Sequence, residues 1–322
     1  MTDKEVLFYN KKFNFSYSSL KKVINTPKLF YNEKVLFLKD EEKIESHLIE
    51  GKVIHCLLLE KEKINDKFKI TPAKKPSENL VKVLRSLALK SNCENIMDLD
   101  DDLILEALKD FNLYQSLVLD EKRLAKVKIA EYQTYWKYLL NKNVNVINQD
   151  TYNKCLSRVD IINNNKEIFD LINPDTGLFN NVEVYAEKYL QAKLDNYKFG
   201  LHGYIDKYII DHDKKMITII DFKTTSKVLN KFEDTIEFYK YDLQAPIYKK
   251  LVYFNNKEYE SYDFCFKFVV IDLYDHVSVF NVTEETMKNW DSMLEESLEI
   301  GNYHYSNNKY DVPFGFEKEK NI

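Results

Sequence analysis

The run Gly203-Tyr204-Ile205-Asp206-Lys207-Tyr208-Ile209-Ile210-Asp211-His212-Asp213-Lys214-Lys215-Met216-Ile217-Thr218-Ile219-Ile220-Asp221-Phe222-Lys223-Thr224-Thr225 decides the fold. Two stretches rich in isoleucine flank a short polar segment, the pattern of a β-hairpin. Alternation puts Ile217, Ile219, Asp221 and Lys223 on one face and Thr218, Ile220 and Phe222 on the other. With Asp213-Lys214 as the turn, Ile210 faces Ile217 and Asp206 sits opposite Asp221. Two carboxylates held side by side at the apolar end of a sheet repel one another unless a cation or a proton intervenes. Hard oxygen donors favour Mg²⁺ or Mn²⁺, and Lys223 then stands where an ammonium can face a phosphate. The bland alternative is a solvated edge hairpin with a cross-strand Asp–Lys pair. Other acid-x-Lys triplets in the chain, such as Glu41/Lys43 and Asp120/Lys122, lie in helix-like settings.

Around this hairpin the pattern changes from helical to extended. Residues Phe179 to Leu190, Gly200 to Ile210, Lys215 to Thr224, Tyr262 to Asp272 and His276 to Val282 read as strands, with helices near Asp242 to Tyr253 and from a Thr283 cap to about Ile300. Upstream, Ser18-Ser19-Leu20 opens a helix that ends near Pro27. A second helix over Glu45 to about Lys61 carries Gly51 and His55 at i and i+4. Residues 76–172 read as a helical insertion, its longest helix near Glu121 to Leu140, within one domain spanning 1–322. Helices first and then a mixed sheet describe an α/β (α+β) fold.

Gln244 and Tyr248 share a helix face at i and i+4, and Pro246 requires that this be near the helix start. An amide and a phenol there can hold a nucleic-acid backbone; a surface Gln and a half-buried Tyr are the alternative reading. His55 can serve as an imidazole ligand or as an ordinary packed histidine.

Composition narrows the classes. The 322 residues are 44% hydrophobic and 14% aromatic, enough for a large core, and the net charge is −5. All basic residues but Arg85, Arg123 and Arg158 are lysine, and Arg158 is expected in a helix-surface salt bridge. Lys21, Lys22, Lys28, Lys227 and Lys231 are candidate DNA contacts that the sequence does not rank. The four cysteines form no C-x-x-C pair, so they are expected reduced in the core. The charged start, Met1-Thr2-Asp3-Lys4-Glu5, and the absence of an 18-residue apolar run lead to the expectation of a cytoplasmic protein without a membrane span.

Together, His55 in Gly51-x-x-x-His55, then Asp206, then Asp221-Phe222-Lys223, then Gln244-x-x-x-Tyr248 resemble the motif order of the PD-(D/E)XK nuclease superfamily. Within it, the RecB-like group with its RecE-like and λ-exonuclease-like phage exonucleases is the nearest resemblance. Ser16-Tyr17-Ser18-Ser19-Leu20 through Pro27-x-x-Phe30-Tyr31 looks like that group's N-terminal helix, and Val182-Glu183-Val184 like the strand before its first catalytic aspartate. Ile205 replaces the proline of the motif's name.

The resemblance implies a restriction-endonuclease-like core, a mixed central sheet flanked by helices, with a helical N-terminal half. It implies Mg²⁺-dependent hydrolysis of phosphodiester bonds in linear double-stranded DNA, 5′ to 3′, in phage-type recombination or end processing. Asp206, Asp221, the Phe222 carbonyl and His55 are the implied metal ligands. Lys223 joins Asp206, Asp221 and His55 as catalytic, Gln244 and Tyr248 hold DNA, and Glu183 is a weaker candidate. Mn²⁺ can substitute, and no Fe–S cluster is expected because Thr26 precedes Pro27 and no C-terminal cysteine cluster exists. The implied partners are DNA ends, a single-strand annealing protein and further copies in a ring-shaped trimer or tetramer, in a host cytoplasm if phage-encoded. An endonuclease, a CRISPR-adaptation-type end trimmer and a catalytically idle DNA-binding module remain as alternatives on the same scaffold.

Overall fold

Runs of alternating β-branched and aromatic residues form one six-stranded mixed sheet in the computed structural model, which describes residues 2–38, 46–72, 74–140, 145–177 and 181–316. Its strands are β1 (Asn14–Phe15), β2 (Val182–Lys193), β3 (Gly200–Asp211), β4 (Met216–Thr224), β5 (Asp263–Ile271) and β6 (Val277–Val282). β2, β3 and β4 form an antiparallel meander, β5 lies parallel to β4, and β6 returns antiparallel to β5. The parallel β4–β5 step requires a crossover, supplied by α3 (Phe232–Tyr239) and α4 (Tyr241–Asn255), which follow α1 (Tyr17–Asn25) and α2 (Ser46–Leu59) in the chain. A last helix, α5 (Glu284–Asn307), starts at Thr283, whose hydroxyl accepts the N–H of Thr286. The fold is therefore mixed α and β, with a central mixed sheet flanked by helices.

The chain divides into two units, Met1–Ile44 with Asp160–Ile322, and Glu45–Val159. The first contains the sheet. Its core joins Ile217 and Ile219 of β4 and Phe266 and Phe268 of β5 to Leu251 of α4 and Leu294 and Leu298 of α5, all almost fully buried. Burying a large aliphatic or aromatic side chain contributes about 1.5–3 kcal/mol, so this cluster dominates the stability of the unit.

The second unit holds the helices Glu78–Lys90, Asp101–Asp110 and Gln133–Leu140, built around Leu84, Leu87, Ile104 and Trp136, and α2, whose Val53, Ile54 and Leu57 pack in a separate cluster with Phe68 and Ile147. It also contains a short parallel pair, Phe68–Ile70 with Asn145–Ile147. The helix expected over Glu121 to Leu140 is broken: Asp120–Leu124 ends in turns, and Gln133–Leu140 begins anew after a 3₁₀ turn at Ala130–Tyr132. Val127 is fully buried within that break, so tertiary packing has overridden helical propensity there. The helix Lys166–Ile172 at the end of the expected insertion belongs to the first unit. Arg158 is 5% exposed, so it is buried and not at the helix surface where it was expected. Cys56 and Cys155 are buried, Cys93 and Cys265 half-buried, and all four are free thiols. No described helix is long and apolar enough to cross a membrane.

Candidate active site

The site grows from the way β3 shares its edges. β2 pairs with β3 over its whole length, so β1 and β4 must both use the opposite edge. β1 takes Gly200 and Leu201, and β4 takes Lys207 to Asp211, leaving residues 202–206 outside both ladders. A side chain on Gly200 could not exist there, since its Cβ would lie 2.5 Å from the Ala192 carbonyl oxygen and from Asn14 Oδ1. Ile210 does face Ile217, and Asp206 is the next position beyond the last ladder pair, Lys207 with Ile220. There the strands fork. Instead of continuing the ladder, the Asp206 carboxylate accepts the backbone N–H of Phe222 at 2.8 Å.

Asp206 is aimed by a fault in the alternation. Leu201 and Ile205 face the core from β3, but so do Tyr208 and Ile210, and on β2 the core positions shift from Leu190 and Ala192 to Tyr185. The switch falls between Ala186–Lys207 and Lys188–Ile205, where the opposed residues are Glu187 and Asp206. Glu187 has φ of 48°, the left-handed region that a glutamate seldom occupies. Strained, bulge-like positions of this kind re-aim side chains and concentrate at functional sites. An oxygen of Glu187 lies within 4.8 Å of one of Asp206.

Asp221 is 0% exposed on the neighbouring strand. One of its oxygens accepts Gln244 Nε2 at 3.0 Å, and the other pairs with the Lys223 ammonium. Burial acts to lower the Lys223 pKa, but Asp221, then Tyr241 and Asp206, outweigh it and raise it, so the ammonium stays charged. Its Nζ stands 4.4 Å from the Tyr241 ring centroid. Gln244 also donates to the Tyr248 hydroxyl at 2.8 Å, one helical turn along α4. Burial first, and then Asp206 and Asp221, push the Tyr248 phenol well above its usual range, which keeps the O–H intact at neutral pH. Gly203 lets this helix approach: a Cβ there would meet Tyr248 Cε1 and Leu251 Cδ1 at 3.2 Å. Gln244 Oε1 is buried without a hydrogen-bond partner among the described residues. Pro246 lies farther into the helix than expected, at its sixth residue, and α4 follows directly on Lys240, itself left-handed at φ 62°.

Asp206, Asp221, Lys223, Gln244 and Tyr248 are thus brought together in the first unit. His55 lies half-buried on α2 of the second unit. Glu183 sits one turn of the meander away, accepting from Tyr185 and from His212 Nε2 at 2.9 Å, and those two contacts hold its pKa down. Glu187 escaped the sequence reading. Its signal was the register across the loop 194–199, which opposes residue 187 to 206 but cannot show the change of face.

Glu187 and Asp206 have the spacing for a divalent cation such as Mg²⁺ or Mn²⁺, and the carboxylates of these two and of Asp221 are hard oxygen donors that suit one. No protein-family model and no curated protein matches the chain. Among solved structures, one from Eubacterium rectale described as a "putative exonuclease" superposes with a TM-score of 0.51 at 10% identity, covering 100% of this chain and 96% of that one. This chain is similar to that protein in fold.

Proposed function

We propose that this chain is a metal-dependent deoxyribonuclease that hydrolyses phosphodiester bonds of linear double-stranded DNA, working 5′ to 3′ from ends in phage-type recombination or end processing. The observation that carries the reading is the fork itself, where Asp206, Asp221 and Lys223 converge from adjacent strands beside Glu187. The shared fold with a "putative exonuclease" supports a nuclease in general.

In this reading Asp206, Asp221 and Glu187 hold Mg²⁺ or Mn²⁺, with the Phe222 carbonyl and His55 as further ligands taken from the motif order. When bound, such an ion polarises the phosphate and lowers the pKa of an attacking water. The chain's own groups do the rest. Lys223, kept charged, turns from Asp221 toward the phosphate and offsets the negative charge that builds on its oxygens. Gln244 fixes the rotamer of Asp221 through one oxygen and leaves the other to the reaction. Tyr248 locks Gln244 in place and offers its hydroxyl near the DNA backbone. DNA ends are the substrate partners, and an annealing protein and a ring of three or four copies complete the proposal in a phage-infected cytoplasm.

The test is digestion of end-labelled linear duplex beside a covalently closed circle, with Mg²⁺, with Mn²⁺ and with EDTA. Metal-dependent loss of the linear DNA alone, with 5′ label released first, is expected. Cutting of the circle replaces the exonuclease with an endonuclease, and no cutting of either DNA overturns the enzymatic reading.

A further inference from the structure

We propose that Phe238 and Tyr239, with Lys21 and Lys227, form a binding platform for an unpaired DNA strand beside the catalytic fork. This rests on the nuclease reading above and names how the substrate strand is held. Ion pairing separates the five candidate lysines. Lys22 is paired with Glu33 at 2.5 Å, Lys28 with Asp311 at 2.7 Å and Lys231 with Asp234 at 3.7 Å. Lys21 and Lys227 have no carboxylate at ion-pair distance among the described residues, and each stands over an aromatic ring, as the paired Lys28 also does over Tyr31. Lys21 Nζ is 5.5 Å from the Tyr239 centroid, and Lys227 Nζ is 5.5 Å from that of Phe238.

The rings form a chain that leads from the catalytic lysine to solvent. Lys223 faces Tyr241; Tyr241 stacks on Tyr239 at 5.7 Å and 20°; Tyr239 meets Phe238 edge to face at 5.0 Å. Exposure rises along it, to 42% at Tyr239 and 69% at Phe238. A phenylalanine that exposed, at the end of a helix and beside a cation, gains little from the fold itself. The platform is also anchored. Tyr17 donates its hydroxyl, and Lys21 its ammonium at 3.1 Å, to the Tyr239 carbonyl, so residues distant in sequence hold α3's last turn against α1.

Burial and then the Lys240 ammonium lower the Lys21 pKa, and the Asp242 carboxylate acts in the opposite direction. Exposed aromatic faces flanked by cations match an unpaired strand, whose bases stack while its phosphates meet lysine. A blunt duplex keeps its bases stacked internally and cannot use Phe238 in this way.

Binding is measured in EDTA, so that no cutting intervenes, by anisotropy of a labelled twelve-nucleotide oligothymidine and by quenching of a 2-aminopurine placed within it. Phe238→Ala is expected to weaken binding about tenfold and to remove the quenching, since stacking one base contributes about 1–3 kcal/mol. Phe238→Trp should retain both, which separates loss of stacking from misfolding. Lys21→Ala with Lys227→Ala should flatten the logarithmic salt dependence by about 1.4, for two phosphate contacts on a single strand. Unchanged affinity and quenching in Phe238→Ala overturn the proposal, as does equal binding of a blunt duplex. Because the metal plays no part in this measurement, absence of metal-dependent cutting leaves its outcome intact, and a failed platform leaves the nuclease reading intact.

Discussion

Asp221 and Asp272 occupy comparable places and are solved in opposite ways. Each has 0% exposure, and each lies toward the C-terminal end of one of two adjacent parallel strands, Asp221 within β4 and Asp272 one residue past β5. Asp272 is met mainly by backbone. Its oxygens accept the N–H groups of Tyr274 at 2.8 Å, His276 at 3.0 Å and Leu229 at 3.3 Å, with His276 Nδ1 at 3.2 Å. Asp221 is met by an amide and an ammonium on side chains that can rotate away. A buried carboxylate must be satisfied in either case. Backbone donors can be withdrawn only by unfolding a turn, so Asp272 holds the loop after β4 against the turn after β5. Side-chain donors can be exchanged for a cation at little structural cost, and that leaves Asp221 available for chemistry.

Removing each charge in turn tests this contrast. Asp221→Asn should lower the rate of metal-dependent cutting by about 10³-fold or more, read by single-turnover digestion, with the far-ultraviolet circular dichroism unchanged. Asp272→Asn should do the reverse, losing about 2–3 kcal/mol of stability in urea denaturation because buried donors go unpaired, while residual cutting persists in the folded fraction. A catalytic collapse in Asp272→Asn without loss of stability would erase the distinction.

The pH dependence sharpens it. Burial raises the Asp272 pKa, but the N–H groups of His276 and Tyr274, the His276 ring and the Leu229 N–H outweigh burial and hold it below the usual carboxylate value. A folded pKa below the unfolded one means stability that is fully present above the unfolded value, about 3.9, and lost as pH falls through the folded one. The stability gap between wild type and Asp272→Asn should therefore be flat from pH 7 to about 5 and shrink below about 4, followed by urea midpoints at each pH.

Two smaller effects probe the surroundings of the fork. Tyr248→Phe removes the hydroxyl that orders Gln244 and should reduce cutting about tenfold, corresponding to about 1.4 kcal/mol, with KM for DNA moving less than kcat. Glu187→Gly should stabilise the fold by about 1 kcal/mol or less, since glycine accepts a positive φ without strain, while metal-dependent cutting falls. A glycine variant that is both less stable and fully active would place Glu187 outside the catalytic work.

Local pattern carried far into the structure. The hairpin register followed from a polar turn between two apolar strands, because a one-residue slip would have turned Ile217 and Ile219 out to solvent. The face shared by Gln244 and Tyr248 followed from the helical repeat alone. What escaped depends on neighbours distant along the chain. The break of the expected Glu121 to Leu140 helix answers to a core that buries Val127, and no window of sequence contains that core.

By itself the sequence determined the five longer strands of the sheet (though not the two-residue β1), how β3 meets β4, and that Asp206, Asp221 and Lys223 belong to one end of that pair, since these follow from periodicity and short turns. Tertiary structure decided that β1 would occupy the same edge of β3 as β4, opening the fork, and that Glu187 would take a left-handed turn facing Asp206. It also decided that Lys21, rather than Lys22 or Lys28, would stand over Tyr239. The physical reason is range. Hydrogen-bond ladders and helical faces are written in neighbouring residues, whereas competition for one strand edge, or for one aromatic ring, is settled only when segments some 200 residues apart are packed together.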